Sequence, residues 1–291
     1  MVRDSKHRYG LDPRKGLLMH SFAGTTALIT GSSKGIGQAY AHQLASRGAD
    51  LVLVARSAEA LEMLAAQLRE THQTRVVVLP VDLFDRAAPQ AIANTLAEHG
   101  IEIDLLINNA GMGAVGPFLP RPLTPNVDSV DLNITALIGL VHSIGAGMLE
   151  RGRGGIINVA SVAAFQPMPF QASYGATKAF VLSFTEAIAE ELRGTDIRVM
   201  AVHPGPVETS FFDTTTATLN PKAVSPERIA AKSLDDFAHG RAISFPGGRS
   251  DRAIAFISRL ISRNRMARLS GNVNRRAGHD HVRDIASPTT G

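Results

Sequence analysis

Residues 27–37, ALITGSSKGIG, decide the fold of this chain. Thr25 to Thr30 are apolar or β-branched and read as a buried strand. Gly31, Gly35 and Gly37 follow, and a helix is expected to open near Ile36. A strand, a glycine turn and a helix N-terminus make an anion site, because backbone N–H groups converge there and the helix dipole favours negative charge. Glycines let a pyrophosphate approach the backbone. Such turns are common, so this one takes its weight from position: it closes the first strand of an alternating pattern.

Outward from this turn, strands are expected near 25–30, 50–55, 75–80, 104–108, 155–159, 198–203 and 242–245. Helices are expected near 35–47, 57–72, 85–99, 123–150, 172–193, 225–239 and 250–268. Alternating apolar strands and helices imply a parallel sheet covered on both faces. Right-handed crossovers make it a doubly wound, three-layer αβα Rossmann fold, with ligand across the C-terminal strand ends at the switch in strand order. No low-complexity run or linker interrupts the 291 residues. The reading is one domain over 21–270, a flexible extension at 1–20 and a flexible basic tail at 271–291.

Tyr174 and Lys178 stand four residues apart in YGATK, with Ser161 thirteen residues upstream of the tyrosine. Four residues is one helical turn, so phenol and ammonium share a face. A free phenol, with a pKa near 10, is a poor acid–base group at neutral pH. A cation about 4 Å away in a partly shielded site stabilises the phenolate by about 4 kcal/mol, or about three pKa units. Ser161 can offer a neutral hydrogen bond to a substrate oxygen.

Taken together, Gly31-x-x-x-Gly35-x-Gly37, Asn108-Asn109-Ala110-Gly111, Ser161, Tyr174-x-x-x-Lys178 and Pro204-Gly205 resemble the short-chain dehydrogenase/reductase family, in order and spacing, from about Ala23 to Gly248. The resemblance implies seven strands and carbonyl–alcohol redox chemistry on a nicotinamide cofactor. It implies that Tyr174 moves the proton, Lys178 depresses its pKa and holds the nicotinamide ribose, Ser161 orients the carbonyl, and Asn133 supports a proton relay. It also implies cofactor contacts from Gly31, Ser33, Lys34, Gly35, Ile36, Gly37, Asp82, Leu83, Asn109, Ala110, Gly111, Tyr174, Lys178, Pro204, Gly205, Val207 and Thr209, with Thr209 at the carboxamide. Asp82 also reads as a helix cap.

The choice of cofactor rests on the end of the second strand. An acid there would hold the ribose 2′-hydroxyl of NAD. Instead the strand ends at Ala55 with Arg56 next, and Asp50 lies at its other end. Arg56 offers a planar fork to a 2′-phosphate and Lys34 a second cation, so NADP(H) is expected.

Composition narrows the function classes. Zero cysteines exclude disulfides, thiolate metal sites and cysteine nucleophiles, and fit a cytoplasmic, reducing compartment. No uninterrupted apolar run of about 18 residues predicts a membrane span. Residues 1–20 carry a net +3 and residues 259–291 a net +5, which leaves −4 for the body of a chain of +4. Solvated ends are the favoured reading of this charge; weak attraction to anionic lipid or nucleic acid is the sharper alternative. No nucleic-acid motif is present.

Segments 112–122, 163–171 and 206–224, with the region after Phe245, should set the substrate. They hold Met112, Val115, Phe118, Phe165, Met168, Phe170, Phe211 and Phe212, which suggests an apolar pocket. The chain is similar to the ketoacyl and hydroxysteroid members of the family, so a hydrophobic ketone or alcohol is expected. A polyol or sugar dehydrogenase, and a sensor that binds NADP without turnover, stay open as alternatives. The stripe Ile254, Ile257, Leu260 and Ile261, with arginines opposite, reads as core packing, and contact with a membrane surface is the minority alternative. Small and apolar residues on the helices near 123–150 and 172–193, with the family's habit of pairing through them, imply a homodimer or homotetramer.

Overall fold

The computed structural model describes residues 22–208 and 223–282. Its central strands are mostly apolar because both of their faces are buried. In β1 (Thr26–Thr30), Ala27 and Ile29 enter one core and Leu28 the other. In β2 (Asp50–Ala55), Leu51 and Leu53 face the first core, and Val52 and Val54 the second. Alternation at period two thus feeds two cores rather than one core and water. The remaining strands are β3 (Val76–Pro80), β4 (Leu105–Asn108), β5 (Arg153–Val159), β6 (Asp196–Val202) and β7 (Ile243–Ser244). All are parallel, in the order β3-β2-β1-β4-β5-β6-β7.

Helices α1 (Gly35–Ala45), α2 (Ala58–His72) and α6 (Pro226–Ala238) cover the first face, through Tyr40, Leu44, Leu61, Leu68, Leu234 and Phe237. Helices α3 (Ala88–Glu98), α4 (Thr124–Arg151) and α5 (Ala172–Glu191) cover the second, through Ile92, Leu96, Leu140, Ile144, Met148 and Val181. Over Asp131–Ala136, α4 widens into a π-helical segment. By length and composition α4 could cross a membrane, with a mean hydropathy of 1.6. Its Leu140, Ile144 and Met148 are buried in the same core as Leu106 of β4 and Ile156 of β5, and 39% of its apolar window is buried.

The expected helix over 250–268 is two helices. α7 (Arg249–Leu260) ends where Ile261 turns extended, and α8 (Arg263–Arg276) begins after Ser262. The boundary expected at 270 therefore falls inside α8, whose Ser270, Gly271 and Asn274 are buried, as is Val282 beyond it. Ser270 Oγ donates to Pro167 O (2.7 Å) and Asn274 Nδ2 to Pro169 O (2.7 Å), so the start of the expected tail packs on the body of the protein. Residues 1–20 and 283–291 lie outside the described residues.

The sheet order reverses between β1 and β4, and this switch positions the site. Thr30 at the end of β1 donates its hydroxyl to Ile107 O and accepts from the backbone N–H groups of Asn109 and Ala110, both at 3.0 Å. The turns that follow β1 and β4 are thereby fastened together.

Candidate active site

The glycine turn is built for close approach. Gly31 has a left-handed φ of +65°, and a Cβ there would lie 2.9 Å from Ala110 Cα. A Cβ on Gly37 would lie 2.2 Å from Gly31 O, so only hydrogen fits between helix and turn. Lys34 occupies the N-cap of α1 without a side-chain cap, and the first turn holds no acid. The first N–H groups of α1 thus remain available to an anion. Asn109, expected beside the ribose, donates its amide to Thr30 O (2.9 Å) and Gly31 O (3.2 Å) and so clamps the turn itself.

At the neighbouring strand end Arg56 is exposed, with its guanidinium 5.8 Å from the Phe84 ring centroid. Lys34 is also exposed. Asp50 sits at the far end of β2, where it accepts from Arg75 N (3.0 Å). Asp82 accepts from Phe84 N (3.1 Å) in a local turn and leaves its carboxylate exposed, with Leu83 buried beneath it; it does not make the expected helix cap, since α3 starts at Ala88 with Ala87 at its N-cap.

Ser161 follows β5 and caps the turn Val162–Phe165, accepting from Ala163 N (3.2 Å) and donating to Pro204 O (3.4 Å). Tyr174 and Lys178 lie one turn apart on α5. The lysine is buried and donates to Val159 O at 2.8 Å. Its Nζ is 5.8 Å from the Tyr174 ring centroid. Burial pushes the phenol above its ordinary pKa, and a hydrogen bond with Ser161 pulls the other way. Burial also brings the Lys178 ammonium down to about 8. The expected lowering of the phenol by a close cation is therefore corrected: the ammonium stands 5.8 Å from the ring centroid, and desolvation exceeds the opposing hydrogen bond with Ser161. What remains is a neutral phenol, suited to donating a proton, beside a lysine that titrates near neutrality.

Asn133 lies in the π-helical segment and is buried. Its Oδ1 accepts from Met112 N (2.9 Å), and its Nδ2 faces Met112 O (2.8 Å) and Thr177 Oγ1 (2.9 Å). Between Asn133 and Lys178 stands Gly111: a Cβ there would be 3.0 Å from Asn133 Oδ1 and 3.4 Å from Lys178 Nζ. The missing side chain leaves room for a small polar bridge between the two.

Three side chains that sequence reasoning passed over hold this arrangement. Thr177 takes the Asn133 amide. His203, fully buried, meets Ser161 O through Nδ1 at 3.1 Å. Asp251 of α7 accepts from Gly205 N (2.9 Å), and burial raises its pKa. The motif Pro204-Gly205 pointed to this loop, but not to the acid that pins it. Val207 bridges to Val224, Glu208 is exposed, and Thr209, Phe211 and Phe212 lie outside the described residues. Among the described residues no cluster of His, Asp and Glu could hold a metal ion.

Residues 25–220 match the family model described as short chain dehydrogenase. The chain is 34% identical over 198 residues to hydroxysteroid dehydrogenase-like protein 1 of Gallus gallus, covering 67% of this chain and 59% of that protein. It is 33% identical over 215 residues to the very-long-chain 3-oxoacyl-CoA reductase of Homo sapiens, covering 72% and 68%. The chain thus spans about three-fifths to two-thirds of the length of these curated relatives. A solved short-chain dehydrogenase from Sphingobium yanoikuyae in complex with NADPH superposes with a TM-score of 0.73 at 34% identity, over 81% of this chain and 93% of that one.

Proposed function

This chain belongs to the short-chain dehydrogenase family, and from that premise we propose that it uses NADP(H) to reduce a hydrophobic ketone to its secondary alcohol. The observation that carries the reading is the convergence of Ser161, Tyr174 and Lys178 beyond the end of β5. The side-chain-free cradle at Gly31 and Gly37, the uncapped start of α1 and the absence of an acid beside Arg56 suit a pyrophosphate and a 2′-phosphate.

Bound NADPH supplies the hydride. In our reading Tyr174 donates the proton to the carbonyl oxygen, and its raised pKa keeps it protonated at neutral pH. Ser161 hydrogen-bonds that oxygen, at the cost of its contact with Pro204 O. Lys178, anchored on Val159 O, would hold the nicotinamide ribose. The gap beside Gly111 has room for a water held by Asn133, through which Lys178 would take its replacement proton from solvent. Lys34, Gly35, Ile36, Ser33, Asp82, Leu83, Asn109, Ala110, Val207 and Thr209 complete the cofactor site.

The apolar rim supports a ketoacyl or steroid-like substrate over a sugar. Phe118 and Leu119 are exposed beyond β4, and Phe165 packs 5.8 Å from Phe245. The relatives' names, a hydroxysteroid dehydrogenase-like protein and an oxoacyl-CoA reductase, point the same way. We place the enzyme in the cytoplasm on its lack of cysteine.

The test is a panel of ketones with NADPH and alcohols with NADP, run on wild type and Tyr174→Phe. The proposal expects a bulky ketone to be reduced by wild type and NADPH to bind both proteins, with turnover in the variant down by at least about a hundredfold. Comparable activity in Tyr174→Phe would move the proton donor elsewhere.

A further inference from the structure

On α7 the buried side chains are Asp251 and Ala255, and the opposite side of the helix carries Phe256, Ile257 and Leu260. These three are 64%, 46% and 71% exposed. On α8, Met266, Ser270, Gly271 and Asn274 face inward, while Leu269 and Val273 are 51% and 63% exposed. Of the stripe expected to pack in the core, Ile257 and Leu260 face water instead, while Ile254 and Ile261 are half-buried. Arg252 and Arg259 flank Phe256 on α7, and Arg265 and Arg276 flank Leu269 on α8. From 249 to 276 the chain has eight arginines, and its one acid, Asp251, is buried against Gly205.

We propose that α7 and α8 form a docking surface for an anionic lipid bilayer. Five large apolar side chains in water mark a surface that something covers, and the charge around them selects what. A bilayer with anionic headgroups satisfies both parts: acyl chains receive Phe256, Leu260 and their neighbours, and headgroup phosphates receive the arginines. A nucleic acid would meet the arginines through its phosphates and leave the apolar rows in water. A second copy of the chain, paired about a two-fold axis, would set one cluster of eight arginines against another. The surface is firmly mounted, since α8 is tied to Pro167 and Pro169 and α7 to Gly205. Those anchor points adjoin the segment between Ser161 and Tyr174, so docking would bring the apolar rim of the candidate site to the lipid. The inference does not rest on the proposed reaction, and its test reads lipid binding alone.

Full-length protein is floated with vesicles of phosphatidylcholine, and with vesicles in which about a third of the lipid is phosphatidylglycerol. The proposal expects binding to the anionic vesicles, little to the neutral ones, and release in about 1 M salt. Phe256→Ser with Leu260→Ser should weaken that binding by about tenfold or more, while NADPH affinity and thermal midpoint stay at wild-type values. Arg252→Glu with Arg259→Glu should abolish the preference for anionic vesicles. Wild type that ignores anionic vesicles overturns the proposal, as does an apolar double variant that floats like wild type. Two further results overturn it in favour of another occupant. One is a double variant with a lower mass by light scattering, paired with no vesicle binding, which makes the face a contact between copies. The other is equal retention of wild type and the apolar variant on heparin with no vesicle binding, which makes it a polyanion site.

Discussion

Replacing His203 by Asn should flatten the acid side of the stability curve. The imidazole packs in a triangle with the Phe165 and Phe245 rings, whose centroids are 4.7 and 5.4 Å away. A carbonyl only accepts, so Nδ1 carries the proton toward Ser161 O and Nε2 is bare. Nε2 is buried and has no partner among the described residues. Burial therefore pushes the pKa down to about 4, against the help of the Ser161 bond and with a smaller push from Lys178. The folded value lies below the unfolded value of about 6.5, so the unfolded chain takes up the proton first. Stability is lost as pH falls through the window from 6.5 toward 4. At about 1.36 kcal/mol per pKa unit, this one group costs about 2 kcal/mol between about pH 7 and pH 5, and about 3 kcal/mol by about pH 4. An Asn amide can make the same hydrogen bond and does not titrate. Urea midpoints across this range should therefore fall more steeply for wild type than for His203→Asn, by about 2 kcal/mol at about pH 5. The packing lost with the ring lowers the variant equally at every pH. His42 and His279, whose pKa values burial also lowers, act alike in both proteins. Parallel slopes for the two proteins would refute the reasoning.

Lys178 loses its cation as pH rises through about 8, so ketone reduction should decline above that point; a rate level to about pH 10 would remove the lysine charge from the mechanism. Arg56→Ala should weaken NADPH binding by about 1.5–3 kcal/mol, the scale of a charge-assisted hydrogen bond, and leave NADH nearly unchanged; fluorescence titration giving equal losses for both would dismiss Arg56 as the selector. Leu123, Val127, Val130, Ile138 and Leu149 line α4 with exposed apolar surface, and Ala176, Ala179 and Ala187 are exposed on α5. We expect a dimer or tetramer through these helices, and a monomer mass by light scattering at micromolar concentration would refute it.

The sheet was legible because fully apolar runs such as Leu51–Ala55 arise only where both faces of a strand are covered. The glycine turn was legible because Gly31 and Gly37 answer contacts that no other residue permits. The depth of a side chain was not. Spacing placed Tyr174 and Lys178 on one helical face, yet gave no measure of desolvation, and desolvation reverses the sign of the effect on the phenol. Periodicity also ran unbroken through Ile261 and Ser262, where the backbone leaves the helix. For α7 it identified an apolar face without saying which way that face points. A small residue, Ala255, beside a paired acid, Asp251, can face the body while larger neighbours face out.

Asp251 shows why part of the site escapes sequence reasoning. It lies 46 residues from Gly205 and reads as an ordinary acid in the first turn of a helix. In the fold it closes a series of bonds across the strand ends. Ala160 N donates to Val202 O (2.8 Å) and Val162 N to Pro204 O (3.1 Å), His203 meets Ser161 O, and Gly205 N meets Asp251. The ends of β5 and β6 thus hold each other through backbone groups that any sequence supplies, while two buried titratable side chains fasten them from outside. Such a frame fixes the backbone of Ser161, whose hydroxyl accepts from Ala163 N and rests on Pro204 O. Selectivity must then come from the apolar segments around the frame, which can vary without disturbing the chemistry.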